Sequence, residues 1–561
     1  MKDEVQKILA ESVDIFKRRN NLVSAPREIE ITVPKREEFG DFSTNIAIIL
    51  ASELSKKPHE VAGLIIDNIS PEGKYLFKKI EVAGPGFINL FINEKAIIGK
   101  LTEIVKLGEN YGKSNLGMRE KVLVEFVSAN PTGYLHMGHA RNAAVGDAIS
   151  NILDAVGFDV TREFYINDTG RQMQLLGISV YRRYEEIFGI KKELPEDGYF
   201  GEYIKDIANE IKEKRDRELL AEVVSEPEAI EYCKEYAKNR MLEEIKKDLN
   251  DFGTVFDYWY SELNELHCLN SESNGESKVA AIRNELLSRD ALEEKDGALW
   301  FKASKFGDSQ DWVLIRKDGN PTYFFSDIAY HYDKIRRGFK RLIDVWGADH
   351  HGHFSRLLSA LNALSLNEFS LVVVLIQFVR LIKGGREISM SKRAGSYLTM
   401  REVMQEVGRD VMRFFLLMRS SESHLDFDLD LAKKESSENP VYYIQYAYAR
   451  IGSVFEKSKE KELTSSKKFL NLLSLPEEIG IIKKLLTFPE LLRESALSLS
   501  PHKLAFYLQD IASDFHVYYN KNRIVSDDQE LSEARLYFVD SIKIVIGNGL
   551  KLLGISTPER M

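Results

Sequence analysis

The sequence predicts an α/β protein: a doubly wound parallel sheet interrupted by a helical insertion, preceded by a small α/β domain and followed by an all-α bundle. Three observations carry this. Residues 121–127 form a strand-like run, followed by a loop over 128–138, a helical pattern over 140–153 and a second strand-like run over 157–166. That is the β-loop-α-β unit that opens such a sheet. Residues 175–290 are rich in Lys and Glu at helical spacing with few strand signals, as expected of a helical insertion with a solvated charged face. From Pro440 onward the pattern is almost wholly helical.

At 561 residues the chain exceeds what one hydrophobic core supports, so several domains are expected. Apolar residues at 44% and charged residues at 29% exclude a disordered or fibrous chain. The longest apolar stretch, 371–382, is interrupted by Gln377 and Arg380 and falls short of the ~20 residues a bilayer crossing needs. It reads as a buried strand. The opening Met1-Lys2-Asp3-Glu4 lacks the basic flank and apolar core of a signal peptide, so a cytoplasmic location is expected. Cys233 and Cys268 stand alone, without metal-ligand spacing, so neither a disulfide framework nor a structural metal site is indicated. The net charge of −10 argues against holding nucleic acid by bulk electrostatics. Residues 441–561, with 16 basic against 15 acidic side chains, are nearly neutral, so any RNA contact is local.

The elements follow in order. Val5, Ile8, Leu9, Val13 and Phe16 recur at helical spacing, Thr32-Val33-Pro34 leads into a glycine turn, and Gly84-Pro85-Gly86 precedes the alternating run 87–91; these form an N-terminal domain over 1–115. The sheet domain spans 116–400, with the insertion at about 175–290. Strand signals return at 297–302, 312–315 and 342–346, and the run 371–382 completes the sheet. Ligands of such sheets bind beyond the carboxyl ends of the strands, which makes the 128–139 loop a nucleotide site. A connecting segment covers 401–439, and the helical bundle covers 440–561.

Two motifs carry chemistry. His136-Met137-Gly138-His139 sits between a strand and a helix, where helix-terminal N–H groups and imidazole donors can stabilise charge developing on a phosphate. Gly138 would leave room for a base beside the backbone. Ser389-Met390-Ser391-Lys392-Arg393-Ala394-Gly395 offers Lys392 as a point charge on a loop. Gly384-Gly385 lacks phosphate-cradle spacing and reads as a turn.

The pair resembles the HIGH and KMSKS signatures of class I aminoacyl-tRNA synthetases, which implies a Rossmann-type catalytic domain. Ser389 stands where that loop has its first lysine, with Lys383 and Arg386 the nearest substitutes. Glu125 to Gly133, Tyr165 to Gln172, Glu294 to Trp300, Tyr323 to Ala329, Trp346 to Gly352 and Glu438 to Tyr446 look like arginyl-tRNA synthetases, and the resemblance spans the chain. It implies a ligase that joins arginine and ATP into arginyl-adenylate and passes arginine to the 3′ end of tRNA(Arg). Mg²⁺ is expected to accompany the ATP, activation is expected to depend on tRNA, and a monomer with no membrane partner is expected.

The same resemblance implies the site residues. His136 and His139 act with Lys392 in catalysis, and His136, Gly138, His139, Met390, Ser391 and Lys392 bind ATP. Asp327 and Tyr323 hold the guanidinium. Ser128 and Asn130 approach the α-amino group. Glu125, His136 and His351 belong to the same pocket, and Glu262 is a second acid for the guanidinium; His350 is weighed beside His351. A planar guanidinium with five donors suits carboxylate, phenolic and carbonyl acceptors. Phe87 and Asn89 match positions that stack on and hydrogen-bond to a splayed base at the outer corner of the tRNA, and Tyr446 and Met561 are assigned an RNA-side role. Two other readings are a synthetase for another amino acid and a synthetase-derived RNA-binding protein without catalysis.

Overall fold

A computed structural model describes residues 1–20, 29–268, 276–348, 352–366, 369–388 and 398–561. Its centre is a parallel five-stranded sheet: β1 (Lys121–Glu125), β2 (Asp159–Ile166), β3 (Tyr258–Ser261), β4 (Arg341–Gly347) and β5 (Ser370–Ile376), in the order β5-β4-β1-β2-β3. The chain walks outward from β1 to β3, then returns to add β4 and β5 on the other side. The direction reverses between β1 and β4, which pair with Arg341 opposite Val122 and Asp344 opposite Glu125. That reversal opens a crevice at the carboxyl ends of the two strands. Val122, Leu123 and Val124 on β1 and Leu342 and Ile343 on β4 are fully buried, as strands covered on both faces must be.

Helix α1 (Met137–Ala155) follows the first motif and lies against this sheet. Its small side chains, Ala140, Ala143, Ala144, Gly146 and Ala148, allow a close approach. A Cβ on Gly146 would stand 2.3 Å from the Phe126 ring, so the glycine is required by packing.

Three strand expectations are corrected. The run at 297–302 does not join the central sheet: Ala298–Phe301 forms an antiparallel sheet with Leu292–Lys295 and Trp312–Ile315. Asp296 and Gly297, with φ of 55° and 74°, make the two-residue hairpin turn whose twist favours antiparallel pairing. The third central strand is β3, inside the segment read as a helical insertion with few strand signals, where only four residues, Tyr-Trp-Tyr-Ser, carry the signal. The run 371–382 is two strands. β5 is the half-exposed edge of the sheet, with Val372 38% exposed, and ends at Ile376. Val379–Lys383 leaves to pair with Arg386–Ile388 and Leu425–Asp428. Gln377 marks the break: its N–H donates to the Ser421 carbonyl and its own carbonyl accepts from Arg141.

The insertion helices Gly170–Ile187, Glu202–Arg215 and Glu226–Asp251 bury an apolar cluster of their own, including Leu176, Tyr184, Ile211 and Met241. The N-terminal unit packs helices on an antiparallel sheet of Phe42–Thr44, Phe77–Ala83 and Phe87–Ile92. The C-terminal helices Pro440–Glu460, Pro476–Leu485, Phe488–Leu497, His502–Lys521 and Gln529–Leu552 form the bundle. No helix among the described residues is long and apolar enough to cross a membrane.

Two sets of polar contacts tie these units together. The Tyr111 hydroxyl donates to the Leu485 carbonyl at 3.0 Å, and Asn548 donates to the carbonyls of Gly108 and Tyr111. Arg413, fully buried, donates to Asp147 of α1 at 2.5 Å and to the carbonyls of Phe252 and Leu553, each at 3.1 Å. One guanidinium thereby joins α1, the end of the insertion and the end of the bundle's last helix.

Candidate functional site

The loop after β1 turns sharply at Val127 and Ser128, whose φ values of 68° and 39° lie in the left-handed region that costs non-glycine residues free energy. Surrounding hydrogen bonds hold the turn. Asn142 accepts from the Val127 N–H at 2.7 Å and donates to the Val345 carbonyl at 2.8 Å, bridging β1 and β4 across the crevice. The Ser128 hydroxyl donates to Glu125 at 2.8 Å and accepts from the Tyr165 N–H at 3.1 Å.

His136 caps α1. Its Nδ1 accepts from the Gly138 N–H at 3.1 Å, while His139 Nδ1 accepts from the His136 N–H at 3.2 Å. The two rings stack with centroids 3.7 Å apart. With both Nδ1 atoms accepting, the neutral imidazoles carry their protons on Nε2, beside the partial positive charge of a helix N-terminus. A Cβ on Gly138 would meet the His136 ring at 3.0 Å, so the glycine admits this stacked pair as well as any base.

These groups line a cavity of about 860 Å³ together with Glu125, Ser128, Asn130, Glu262, Tyr323 and Asp327. Helix α2 (Tyr323–Arg336) contributes Tyr323, Asp327, Tyr330 and His331 to its lining. Phe378 and Val379 complete the rim near α1. That rim is held by Arg141, buried with no carboxylate partner among the described residues, whose guanidinium donates to the carbonyls of Gln377, Ser420 and Ser423, each at 2.8 Å. Burial pulls Arg141 down to about 10.

Glu125 is not a free acid. It accepts from the buried Lys334 ammonium at 2.6 Å; Lys334 also pairs with Asp344 at 2.8 Å, and His331 reaches Asp344 at 2.7 Å. Burial opposes the Lys334 charge, but Asp344 and Glu125 outweigh it and raise Lys334 to about 12. Asp344, despite its burial, is held well below the usual carboxylate range by Lys334 and His331. Burial, with Asp344 adding to it, pushes Glu125 up. The only described trio with metal-ligand spacing is Glu125, His331 and Asp344, and the Lys334 ammonium already binds two of its members.

Besides Glu125, the acids lining the cavity are Asp327 and Glu262. Glu262 is 3% exposed and lies 3.1 Å from His267 Nε2. Burial, then Glu262 and Asp327, push the Tyr165 hydroxyl well above its ordinary value. Asp327 pairs through Oδ2 with His353 Nε2. Asn130 donates to Gln172 at 2.6 Å.

Met390, Ser391, Lys392, Ser389, His350 and His351 lie outside the described residues. The segment after the signature loop is anchored at the site: His136 and Thr399 form an antiparallel bridge, and the Met400 N–H donates to the Leu135 carbonyl at 2.8 Å. Lys383 pairs with Glu406 at 3.1 Å, and Arg386 is exposed on its strand. Phe87 and Asn89 line a separate cavity of about 390 Å³ in the N-terminal unit. There Phe87 is 39% exposed, and Asn89 is buried and accepts from Ser43. In the bundle, the Arg450 guanidinium covers the Tyr446 ring at 4.3 Å and donates to its hydroxyl, and Met561 is exposed at the terminus.

Sequence reading missed Asn142, Lys334, His353 and Arg356. Lys334 had a signal: Asp327, His331 and Lys334 recur at i, i+4 and i+7, the spacing of one helix face, where a surface-packed helix would place apolar residues.

Comparison with known proteins gives a consistent set of relatives. Residues 100–421 match the family described as tRNA synthetases class I (R), catalytic domain; residues 1–92 match the arginyl tRNA synthetase N terminal domain, and 444–561 the DALR anticodon binding domain. The chain is 45% identical over 537 residues to the arginine–tRNA ligase of Geobacter sp. (strain M21), covering 95% of each. It is 43% identical to that of Thioalkalivibrio sulfidiphilus, covering 100% of each. The fold is that of the Thermus thermophilus arginyl-tRNA synthetase, with a TM-score of 0.74, 22% identity and 99% of each chain covered.

Proposed function

The chain belongs to the arginyl-tRNA synthetase family of class I and is an arginine–tRNA ligase, and from that premise we propose that its 860 Å³ cavity seats L-arginine and ATP together. The observation that carries this reading is that one cavity is lined both by the stacked His136–His139 pair at the N-terminus of α1 and by Asp327. The helix cap suits a phosphate and the carboxylate a guanidinium.

In the first step the arginine carboxylate attacks the α-phosphate, giving arginyl-adenylate and pyrophosphate. The helix N-terminus and the Nε2–H donors of His136 and His139 stabilise the charge that grows on the phosphate. Lys392 neutralises the departing pyrophosphate. Asp327, Tyr323 and Glu262 receive the guanidinium, Asn130 and Ser128 border the α-amino group, and Glu125 acts through Lys334 as part of the wall. A terminal ribose hydroxyl of tRNA(Arg) then attacks the activated carbonyl. Catalysis is by positioning and electrostatics, with no protein nucleophile. Any Mg²⁺ would be held chiefly by the ATP phosphates, where it would offset their charge, because the Lys334 ammonium already pairs with Glu125 and Asp344 of the described trio of potential ligands.

Phe87 and Asn89 read a base at the outer corner of the tRNA, and Tyr446 and Met561 lie on the RNA side of the bundle. The enzyme works as a monomer in the cytoplasm. Pyrophosphate exchange with purified protein, arginine and ATP, run with and without tRNA, tests the reading. Arginine-dependent exchange that needs tRNA is expected. Exchange driven by another amino acid would overturn the specificity, and none under either condition would favour RNA binding without catalysis.

A further inference from the structure

Asp327 does not stand alone in the cavity. On α3 (His353–Ala363), His353 places Nε2 against Asp327 Oδ2, and its Nδ1 accepts from Arg356 Nε at 2.7 Å. Arginine has donors only, so the Nδ1 facing it carries no proton, and the neutral ring has its proton on Nε2, where it donates to Asp327. The ring is 9% exposed and gripped edge-on by Trp346 at 5.6 Å and Phe324 at 5.8 Å. Arg356 is fixed in turn, its guanidinium over Trp312 at 4.9 Å and Phe324 at 5.1 Å. Among the described residues Oδ1 of Asp327 accepts no hydrogen bond, and the Asp327 side chain is 31% exposed.

We infer that His353 is the positioning residue of guanidinium recognition: a neutral imidazole that spaces Arg356 from Asp327, fixes one carboxylate oxygen and leaves the other for the substrate. The inference rests on Asp327 receiving the guanidinium. A direct Arg356–Asp327 pair would fill the acid with the protein's own guanidinium, in competition with arginine. With the imidazole between them, Asp327 is oriented by a neutral donor and keeps its charge for the incoming cation. A hydrogen bond to a charged group is also worth more than a neutral one.

The test is arginine-dependent pyrophosphate exchange in the presence of tRNA, titrating arginine and ATP separately, for wild type, His353→Phe, His353→Gln, Asp327→Asn and the Asp327→Asn/His353→Phe double variant. Phenylalanine keeps the ring contacts and removes both nitrogens. The glutamine amide can still donate to Asp327 and accept from Arg356. Expected is an arginine KM raised about tenfold or more in His353→Phe, with the ATP KM and kcat changed by no more than about twofold. His353→Gln should recover most of the loss, and the double variant should bind arginine no worse than Asp327→Asn. An unchanged arginine KM in His353→Phe beside a raised one in Asp327→Asn would overturn the inference and leave the pocket reading standing. Equal losses in both His353 variants, a parallel rise in the ATP KM, or additive losses in the double variant would also overturn it. An unaffected Asp327→Asn would instead overturn the pocket reading itself.

Discussion

His136 and Thr399, far apart in the chain, face each other in an antiparallel bridge that ties the cap of the helix bearing one signature to the segment that follows the other. Thr399 also caps its own helix, Met400–Val407, in a reciprocal arrangement with Glu402. The backbone at Thr399 and Met400 is therefore joined directly to the cap that carries the stacked histidines.

Met400→Pro tests that link. Position 400 is the first residue of its helix, where proline is tolerated, and Thr399 already has an extended ψ of 159°, as a residue before proline requires. The substitution deletes the Met400 N–H bond to the Leu135 carbonyl. Helicity by circular dichroism is expected to hold, while kcat for arginine activation falls about tenfold relative to Met400→Ala, the control for lost side-chain packing. Equal kcat in the two variants would remove the link from the mechanism.

Asp344→Asn tests the buried charge cluster. The ordinary Asp value is 3.8, and the folded value lies well below it. A depressed folded pKa contributes stability that is fully present above the unfolded value and is lost as pH falls through the folded one. The stability difference between wild type and Asp344→Asn, measured by urea unfolding, is expected to be about 3–5 kcal/mol near pH 7 and to shrink below about pH 4. Glu125, raised by burial, has the opposite sign, so the difference is to be read against wild type at each pH. A difference that grows toward acid would refute the assignment.

Arg413→Met leaves Asp147 buried without its partner at 2.5 Å. A loss of about 3–5 kcal/mol is expected, with proteolysis entering first at the end of the helix Gln529–Leu552. Gly554→Ala should act at the same joint, because its φ is +69° and the new Cβ would stand 2.2 Å from Arg413 Nη2. Its cost is expected to exceed about 1 kcal/mol. Wild-type stability in either variant, by calorimetry, would show the joint to be dispensable.

Much of the site was legible because its chemistry is local. The His136 to His139 motif needs a strand, a turn and a helix N-terminus in sequence order, and the chain supplies all three within residues 121–155. The hairpin turn at Asp296-Gly297 was equally local, yet its strands were assigned to the wrong sheet, because a strand's own pattern does not name its partner. β3 was hidden by its length: four aromatic-rich residues between charged helices give too short a period to stand out.

By itself the sequence determined the β-loop-α-β core, the helical end of the chain and the two signature segments, since these follow from short-range periodicity and residue type. Only the tertiary structure decided which acids are open to substrate. Glu125 and Asp327 look alike in sequence, but the fold brings the Lys334 ammonium to one and the neutral His353 ring to the other. Partners so distant in the chain meet only after the sheet has closed around them, and in a buried site the partner, rather than the carboxylate, sets how much charge remains for a ligand.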